Sequence, residues 1–423
     1  MPEQKTVALH TLGCKLNYAE TSSLERLLEE DGYLKKDFEE LADVYVINTC
    51  SVTDNADREC RQLVRRIQRK APGSTVVITG CYAQLKPGEI AAIEGVNLVL
   101  GASEKFRITH HLRQLSAGDT AKICSCDIEE LNEFQSSYSL NSRTRTFLKV
   151  QDGCDYNCSF CTIPLARGKS RSHPIANVLA DIRTIAASGV KEIVLTGVNL
   201  GDFGKDASGM RTSENFCQLL EAIERTGGVE RYRISSIEPN LLTDRIIDLV
   251  AGSSRIMPHF HIPLQSGSNR ILASMRRRYR RELYAEKVER IRKLVPHCGI
   301  GADVITGFPG ETEEDFLETV EFLTNLDVSY LHVFTYSERE HTPALGIGPS
   351  IPPAVRQERT RILRSLSCKM SAGFLQRHAG QTRKVLFEGR NRDGMIEGYT
   401  DNYIKVAVPY TEAWSNRIID WTL

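Results

Sequence analysis

The stretch from 147 to 171 carries the residues best suited to chemistry. Within FLKVQDGCDYNCSFCTIPLARGKSR, Cys154, Cys158 and Cys161 form the pattern C-x3-C-x2-C directly after a strand-like run. Three thiolates in a loop can hold a four-iron cluster through three of its irons and leave the fourth iron open. A cluster that only stores electrons is normally closed by a fourth cysteine, so the open iron indicates a site that chelates a ligand.

Two simpler interpretations of this triplet are less consistent with its surroundings. Its spacing also fits one face of a helix, which would make it a cysteine-rich core face. Gly153, Asp155 and Pro164 favour a loop instead. A structural zinc site prefers four protein ligands, and no fourth ligand follows nearby in the sequence. The iron–sulfur interpretation is therefore favoured.

A second cysteine triplet occupies equivalent positions in the first hundred residues. Residues 1 to 105 alternate between strand-like and helix-like segments, which predicts a small parallel α/β domain. Cys14, Cys50 and Cys81 each end one of these strands. Because the carboxyl ends of neighbouring parallel strands converge on one crevice, the three thiols could share one metal. We expect a second three-thiolate cluster here, and the alternative is that these small residues only pack the core.

The other cysteines are not assigned to a cofactor. Cys124 and Cys126 form C-x-C in a polar connector and could bind metal, although a structural role is favoured. The remaining ones are isolated and read as structural: Cys60, Cys217, Cys298 and Cys368.

Length and composition exclude several classes of protein. The chain has 423 residues, 41% of them hydrophobic, which suffices for two or three domains with real cores. The N-terminus does not resemble a signal peptide, and no stretch approaches the length of about 18 apolar residues that marks a membrane span. We therefore expect a cytoplasmic protein with no membrane partner. Twelve cysteines in such a chain indicate metal ligands more often than disulfides.

The charges balance overall but are segregated along the chain. There are 54 Lys and Arg residues against 54 Asp and Glu residues. Basic residues dominate in 58–70, 276–293 and 356–384. A single basic stretch is usually a solvated helix face, whereas three in one chain favour a polyanionic partner.

The second half of the chain predicts an incomplete parallel barrel. Six strand candidates alternate with helical stretches between 147 and 337, which is typical of a (βα)6 barrel open at one side. Ligands of such barrels bind at the carboxyl ends of the strands, although polar residues there can also cap helices. The strand-end residues expected to contact a ligand are Thr196, Asn199, Ser235, Glu238, Gln265 and Asp303.

These patterns divide the chain into five segments. A Gly- and Pro-rich run marks the end of the barrel, and alternating polar and apolar residues at the C-terminus predict a small antiparallel β-barrel. We expect that terminal barrel to be an accessory domain that binds nucleic acid, and its removal to leave the cofactor chemistry intact. The segments are 1–115, the N-terminal cluster domain; 116–146, a linker; 147–345, the partial barrel; 346–378, a basic connecting segment; and 379–423, the terminal β-barrel.

Taken in order, the motifs resemble one enzyme family over essentially the whole chain. They are TLGCKLNYAET, VINTCSVT, TGCYAQ, GCDYNCSFCTIPLARGKSRS, SSIEP, PLQSGS and DVITGFPGE. The chain resembles the methylthiotransferases among the radical S-adenosylmethionine enzymes. The wording of GCKLNYAET, TGCYAQ and ARGKSRS is most similar to the branch that converts N6-threonylcarbamoyladenosine, beside the tRNA anticodon, to its 2-methylthio form. One departure is His341 in YSEREHTPA, where the resemblance implies glycine.

The resemblance implies a division of labour between two four-iron clusters. The cluster on the 154–161 triplet binds S-adenosylmethionine, with Phe160 near the adenine and the strand-end residues around the rest of the cofactor. It yields a 5'-deoxyadenosyl radical that removes hydrogen from C2 of the adenine ring. The cluster on the N-terminal triplet presents a sulfur that a second S-adenosylmethionine methylates. The terminal barrel corresponds to a TRAM domain, and no residue is assigned as a catalytic acid or base.

The implied partners are a tRNA anticodon stem-loop and an electron donor such as flavodoxin or ferredoxin. Two alternatives keep the radical chemistry and change the target, to isopentenyladenosine in tRNA or to an aspartate of a ribosomal protein. A third is a non-catalytic iron–sulfur or zinc protein that binds RNA, for which the basic stretches and the terminal barrel would suffice.

Overall fold

The structure is a computed structural model that describes residues 4–51, 54–115, 121–140 and 144–423. Within these residues the strands form five sheets, and the N-terminal cysteines lie next to the first of them. Its strands are all parallel and lie in the order β2-β1-β3-β4-β5-β6. They are β1 (Thr6–Thr11), β2 (Leu34–Lys35), β3 (Val44–Thr49), β4 (Thr75–Gly80), β5 (Leu98–Leu100) and β6 (Lys122–Cys124). The helices that accompany them are α1 (Lys15–Glu30), α2 (Asp54–Lys70), α3 (Cys81–Leu85), α4 (Pro87–Ala91) and α5 (Ile108–Arg113).

This N-terminal sheet is covered on both faces. Successive side chains of a strand point to opposite faces, so Val46 packs with Leu24 of α1 while Ile47 packs with Val64 of α2. A strand buried on both sides must be almost continuously apolar, as VYVINT is. The predicted parallel α/β arrangement is confirmed.

The segment assigned to a linker contributes two strands. β6 pairs with β5 and extends the N-terminal sheet, and β7 (Ser137–Tyr138) pairs antiparallel with the first barrel strand. Both are short, and β6 is an exposed edge, so neither has the apolar alternation that marks a strand in sequence. The parts 116–120 and 141–143 of this segment lie outside the described residues.

All six strands predicted between 147 and 337 are present. Three are parallel neighbours in the sheet β12-β11-β8-β7, three form the parallel sheet β13-β14-β15, and two isolated parallel bridges join the sheets between β12 and β13. A short antiparallel pair, β9 with β10, follows the first barrel strand. The strands are β8 (Arg145–Lys149), β9 (Gln151–Asp152), β10 (Arg171–Ser172), β11 (Glu192–Thr196), β12 (Arg231–Ile234), β13 (His259–Gln265), β14 (Gly299–Thr306) and β15 (Tyr330–Thr335).

Helices cover the outer face of these strands. The largest apolar core lies between the two layers and includes Leu148, Phe260 and Ile300 from strands with Ile182 and Val288 from helices. The helices are α6 (Ile163–Arg167), α7 (Ile175–Ala187), α8 (Phe216–Thr226), α9 (Asp244–Gly252), α10 (Asn269–Ser274), α11 (Arg281–Leu294) and α12 (Glu313–Asn325).

A long helix and an antiparallel sheet complete the chain. α13 (Pro353–Gln376) packs on β15, and the last four strands lie in the order β18-β17-β16-β19. These strands are β16 (Thr382–Arg392), β17 (Met395–Thr400), β18 (Lys405–Pro409) and β19 (Ile418–Thr422). No helix in the described part of the chain is long and apolar enough to cross a membrane.

The C-terminal sheet contacts the barrel strands through buried arginines. Arg231 donates to the backbone carbonyls of Tyr399 and Lys384 at 3.3 and 2.6 Å. Arg233 donates to those of Asp401 and Thr400 at 3.0 and 3.3 Å. The first residues of β12 are therefore held by backbone groups of the terminal sheet.

Candidate active site

The Cys154, Cys158 and Cys161 triplet lies in a loop, as the glycine and proline around it predict. The loop runs from β9 to α6, and the backbone amides of Tyr156 and Ile163 lie 3.4 Å from the Sγ atoms of Cys154 and Cys161. Gly153 has φ +67, and a Cβ there would collide with the backbone of Lys169. The turn into the loop therefore requires glycine.

The electrostatics of this loop suit a metal cluster. Burial raises the pKa of Cys154 and of Cys161 to about 12, so the free thiols stay protonated. Burial also raises the pKa of Cys158, whose Sγ lies 3.1 Å from Nη1 of Arg277. Arg277 in turn pairs with Glu238. Three thiols of one loop, with amide and guanidinium donors aimed at the sulfurs, fit a cluster that replaces the thiol protons.

The second triplet lies at one edge of the N-terminal sheet, as predicted. β1, β3 and β4 are adjacent, Cys14 and Cys50 follow the first two, and Cys81 begins the helix after the third. Gly13 has φ +102, and a Cβ there would lie 2.5 Å from Cβ and 2.9 Å from Sγ of Cys50. The two loops therefore touch through a glycine. Burial, and secondarily the nearby Cys14, raises the pKa of the Cys81 thiol.

Asn17 fastens the strand ends that carry this triplet. Its side-chain amide donates to the backbone carbonyls of Leu12 and Thr49, each at 2.9 Å. The backbone carbonyl of Asn17 accepts from Nδ2 of Asn48 at 3.0 Å. All of these groups are buried. The role of Asn17 is not predictable from the sequence, because only the fold brings these backbone groups together.

The two cysteine loops adjoin one another. Oγ1 of Thr162, the residue after Cys161, donates to the backbone carbonyl of Ser51, the residue after Cys50, at 3.4 Å. α3, which begins at Cys81, packs against α6 of the other loop. The two sets of thiols thus belong to neighbouring loops of one site.

A buried charge cluster connects the two halves of the site. Glu20 of α1 is fully buried and accepts from Lys105, Lys149 and Arg167 at 2.7, 3.1 and 3.0 Å. Arg167 also donates to Asp152 at 2.9 Å, and to Oδ1 of Asn17 at 2.6 Å. Burial opposes ionisation, yet Arg167 and the lysines hold the pKa of Glu20 well below its usual range. The sequence offers no periodicity or spacing that would have predicted this cluster.

A cavity of about 240 Å³ lies beside Cys161. It brings together three of the predicted cofactor residues, Phe160, Gln265 and Asp303. Gln265 has φ +70 at a register shift of β13, a conformation uncommon outside glycine. Such local strain is often found where a strand-end side chain is aimed into a binding site.

The other four predicted cofactor residues do not line this cavity. Both side-chain polar atoms of Asn199 and Oγ of Ser235 are buried without a hydrogen-bond partner among the described residues. Unpaired buried polar atoms are costly, so these two positions fit residues that await a ligand. Oγ1 of Thr196 donates instead to the carbonyl of Val194 at 3.0 Å, and Glu238 pairs with Arg277.

Asp303 also lies at the centre of a cluster of three polar side chains that faces the barrel interior. Its Oδ1 lies 2.8 Å from Nε2 of His261 and 3.4 Å from Nδ1 of His332. Although burial raises the pKa of Asp303, His261 lowers it further, so the carboxylate is ionised. His332 lies in the middle of β15 and is not predicted from the sequence, because only residues at the carboxyl ends of strands are expected to contact a ligand.

Comparison with known proteins assigns the family. A model described as "Uncharacterized protein family UPF0004" matches residues 6–101, and one described as "Radical SAM superfamily" matches residues 148–323. The chain is 40% identical to the threonylcarbamoyladenosine tRNA methylthiotransferase MtaB of Bacillus subtilis, over 98% of this chain and 92% of that protein. The chain belongs to the MtaB methylthiotransferase family. Its identity to the MtaB protein of Aquifex aeolicus is also 40%, over 95% of this chain and 96% of that protein.

A second branch is less similar to this MtaB-family chain. A tRNA-2-methylthio-N(6)-dimethylallyladenosine synthase of Syntrophus aciditrophicus is 30% identical, over 99% of this chain and 89% of that protein. Among solved structures, the radical S-adenosylmethionine methyltransferase TsrM of Kitasatospora setae aligns with a TM-score of 0.55. It shares 15% identity and covers 81% of this chain and 77% of its own, so it supports the fold alone.

Proposed function

We propose that this chain is a radical S-adenosylmethionine enzyme that places a methylthio group on C2 of N6-threonylcarbamoyladenosine in tRNA. The observation that carries the proposal is the Thr162–Ser51 contact, because it makes the two cysteine triplets parts of one site. A reaction that needs both a carbon radical and a sulfur donor requires two such centres side by side. The names of the MtaB relatives supply the substrate.

The cysteines divide between the two tasks. When bound, the cluster on Cys154, Cys158 and Cys161 with S-adenosylmethionine supplies a 5'-deoxyadenosyl radical, and the cluster on the N-terminal triplet supplies the sulfur. Arg277 stabilises the Cys158 thiolate through its hydrogen bond to that sulfur. Phe160, Gln265 and Asp303 orient the cofactor in the cavity beside Cys161.

Two further groups support the reaction from the protein side. Asn199 and Ser235 offer their unpaired polar atoms to the cofactor. Arg167 forms ion pairs with Glu20 and Asp152. It thereby keeps the radical loop, which carries the 154–161 cysteines, against the sheet edge that carries Cys14 and Cys81. The chemistry is the cofactor's, and the protein supplies position and electrostatics.

The RNA partner is the anticodon stem-loop of a tRNA. Exposed arginines follow α10 close to the radical loop, and Nη2 of Arg278 reaches the backbone carbonyl of Asp155 at 3.1 Å. Phosphates bound there would bring the loop of the RNA over the cysteines. The target base must then leave its stack to reach the site.

The remaining parts have supporting roles. The segments 1–115 and 147–345 form the two cluster-binding domains, 379–423 is a TRAM-like RNA-binding domain, and 116–146 and 346–378 connect them. An electron donor such as flavodoxin or ferredoxin reduces the radical cluster. The enzyme and its electron donor are both expected to lie in the cytoplasm.

Two cysteine variants test the division of labour. Cys50→Ala should still cleave S-adenosylmethionine to 5'-deoxyadenosine but form no methylthio product, because only the sulfur site is damaged. Cys60→Ala is the matched control, since Cys60 is a buried core cysteine of α2 outside both triplets. It should behave as the parent protein.

The assay uses anaerobically reconstituted enzyme and tRNA that carries N6-threonylcarbamoyladenosine. Mass spectrometry of the digested nucleosides reports the 2-methylthio product, and chromatography reports 5'-deoxyadenosine. Product formation by the Cys50 variant would refute the division of labour. Absence of any modified nucleoside with the parent protein would refute the proposed substrate.

A further inference from the structure

A cavity of about 270 Å³ lies between the start of α1 and the inner face of the barrel strands. Cys14 and Lys15 line it from one side, Arg145 and Arg233 from the barrel, and Tyr403 from the C-terminal sheet. Of the described residues, three of those lining it are cationic and none is acidic. The cavity therefore favours an anionic ligand.

Two of the three cations are already neutralised. Arg145 pairs with Glu388 at 2.7 Å, and Arg233 pairs with the buried Glu192 at 3.1 Å. They also stack against the ring of Tyr403, at 5.9 and 4.8 Å from its centroid. These two arginines form the wall of the cavity rather than a free binding group.

Lys15 is different from both arginines. Over the described ranges of the chain, its ammonium has neither a hydrogen bond nor an ion pair, and the residue is solvent-exposed. It lines the cavity together with Arg145 and Arg233 of the barrel and Tyr403 of the C-terminal sheet. The ammonium thus lacks a counter-ion among the described residues of this solvent-accessible cavity.

The backbone around Lys15 adds to the same preference. Lys15 is the first residue of a 16-residue helix whose first turn contains no acidic residue. Helix N-termini carry a partial positive charge that favours an anion nearby. The ammonium and the helix end therefore act on the same small volume next to Cys14.

We propose that Lys15 binds the carboxylate of the threonylcarbamoyl group of the substrate, an inference that rests on the proposed function. The dimethylallyl group of the other branch has no carboxylate, so this contact would select the correct base. Lys15 directly follows Cys14, one of the cysteines proposed to present sulfur. A base held through its N6 substituent at Lys15 would bring C2 of the same ring close to that sulfur.

The test compares two stem-loop RNAs that differ at one group. One carries N6-threonylcarbamoyladenosine, and the other carries the same nucleoside with its carboxylate converted to a primary amide. Fluorescence anisotropy gives the Kd of each RNA for the cluster-loaded enzyme, and nucleoside mass spectrometry gives kcat/KM. The protein variants are Lys15→Gln, Lys15→Arg and the control Lys5→Gln, whose side chain is exposed on the same domain.

The parent enzyme should prefer the acid over the amide by about tenfold to a hundredfold, as expected for a hydrogen bond to a charged group. Lys15→Gln should abolish this preference by weakening only the acid, and Lys15→Arg should keep most of it. Lys5→Gln should match the parent. Iron content and the Kd for S-adenosylmethionine without RNA should be unchanged in all variants.

The outcomes separate the inference from the proposed function. If the parent enzyme forms no 2-methylthio nucleoside on the acid RNA, the proposed function fails. If the parent does form it but shows no preference for the acid, or if Lys15→Gln retains that preference, the role of Lys15 is wrong. Loss of iron or of cofactor affinity in Lys15→Gln would also overturn the inference, because Lys15 would then serve the cluster or the carboxylate of S-adenosylmethionine.

Discussion

His341 adopts a left-handed backbone conformation, φ +62, in the loop that follows β15. This is the position at which the family resemblance implies glycine. A residue with a Cβ is strained in this region by roughly 1–2 kcal/mol, whereas glycine adopts it freely. The imidazole is exposed and has no hydrogen bond among the described residues that would offset the strain.

We expect His341→Gly to raise the free energy of unfolding by about 1 kcal/mol, part of the relieved strain being offset by the greater freedom of an unfolded glycine. Thermal unfolding followed by circular dichroism measures the change. His341→Ala is the control, because alanine keeps the strained backbone and should give no increase. Equal stabilisation by alanine would mean that the imidazole, rather than the backbone, is unfavourable.

Arg167 is the shared partner of two buried carboxylates. Glu20 and Asp152 both accept from its Nη1, and the other cations of the cluster are Lys105, Lys149 and Arg171. Loss of one member of a buried charge group leaves an uncompensated charge, which typically costs about 3–5 kcal/mol.

Arg167→Gln should therefore destabilise the protein by about 3 kcal/mol or more, as measured by urea unfolding under anaerobic conditions. The exposed ion pair of Arg113 with Asp31 provides the comparison. Arg113→Gln should change stability by less than about 1 kcal/mol, because exposed pairs contribute little. A similar small effect at Arg167 would show that the buried cluster adapts to the loss.

Single residues differ in how far the sequence predicts them. The places of the six cysteines proposed as cluster ligands are predictable, because their spacing and their positions after strands depend on the local chain. The partners of Glu20 are not, because Lys105, Lys149 and Arg167 come from separate segments that only the fold brings together. The sequence shows Lys15 only as part of the GCKLNYAET motif. Its lack of a counter-ion could not be predicted, because that is a property of the folded cavity.

At the scale of whole elements, the C-terminal sheet is more firmly connected than its sequence suggests. Residues 379–423 are expected to form an accessory domain that can be removed without loss of the cofactor chemistry. The contacts of Arg231 and Arg233 argue against this expectation, because the two side chains donate four hydrogen bonds to backbone carbonyls of that segment. Tyr403 also reaches the barrel cavity from a backbone with φ +73. Alternating apolar residues predict the strands themselves but carry no information about what the sheet packs against.

Removal of residues 379–423 should therefore destabilise the barrel and lower cleavage of S-adenosylmethionine even without RNA. Each hydrogen bond lost by a buried guanidinium costs about 1.5–3 kcal/mol. Thermal unfolding and 5'-deoxyadenosine formation report the two effects. Arg417→Gln, at the exposed residue directly before β19, should leave both unchanged. A truncated protein with full stability and cleavage would restore the accessory role.

At the scale of the whole molecule, the basic stretches separate into paired and unpaired residues. Arg361 pairs with Glu358 at 2.6 Å, and Arg377 pairs with Asp327 at 2.9 Å. Arg276 and Arg280 are exposed and have no ion pair with any described residue. Charge counts along the sequence cannot make this distinction, because the acidic partners of 356–384 include residues such as Asp327 that lie far away in the chain.

The unpaired arginines should therefore dominate the binding of tRNA. Raising salt from about 50 to 200 mM should weaken binding at least tenfold if several phosphates are neutralised. Arg276→Gln and Arg280→Gln should each reduce the slope of log Kd against log salt by about 1, because each removes one phosphate contact. Arg361→Gln and Arg377→Gln are matched controls from a basic stretch, since their guanidinium groups already have carboxylate partners. If all four variants lower the slope equally, the prediction is wrong. The RNA would then respond to the total charge of the basic stretches, whether or not an individual arginine has an ion pair.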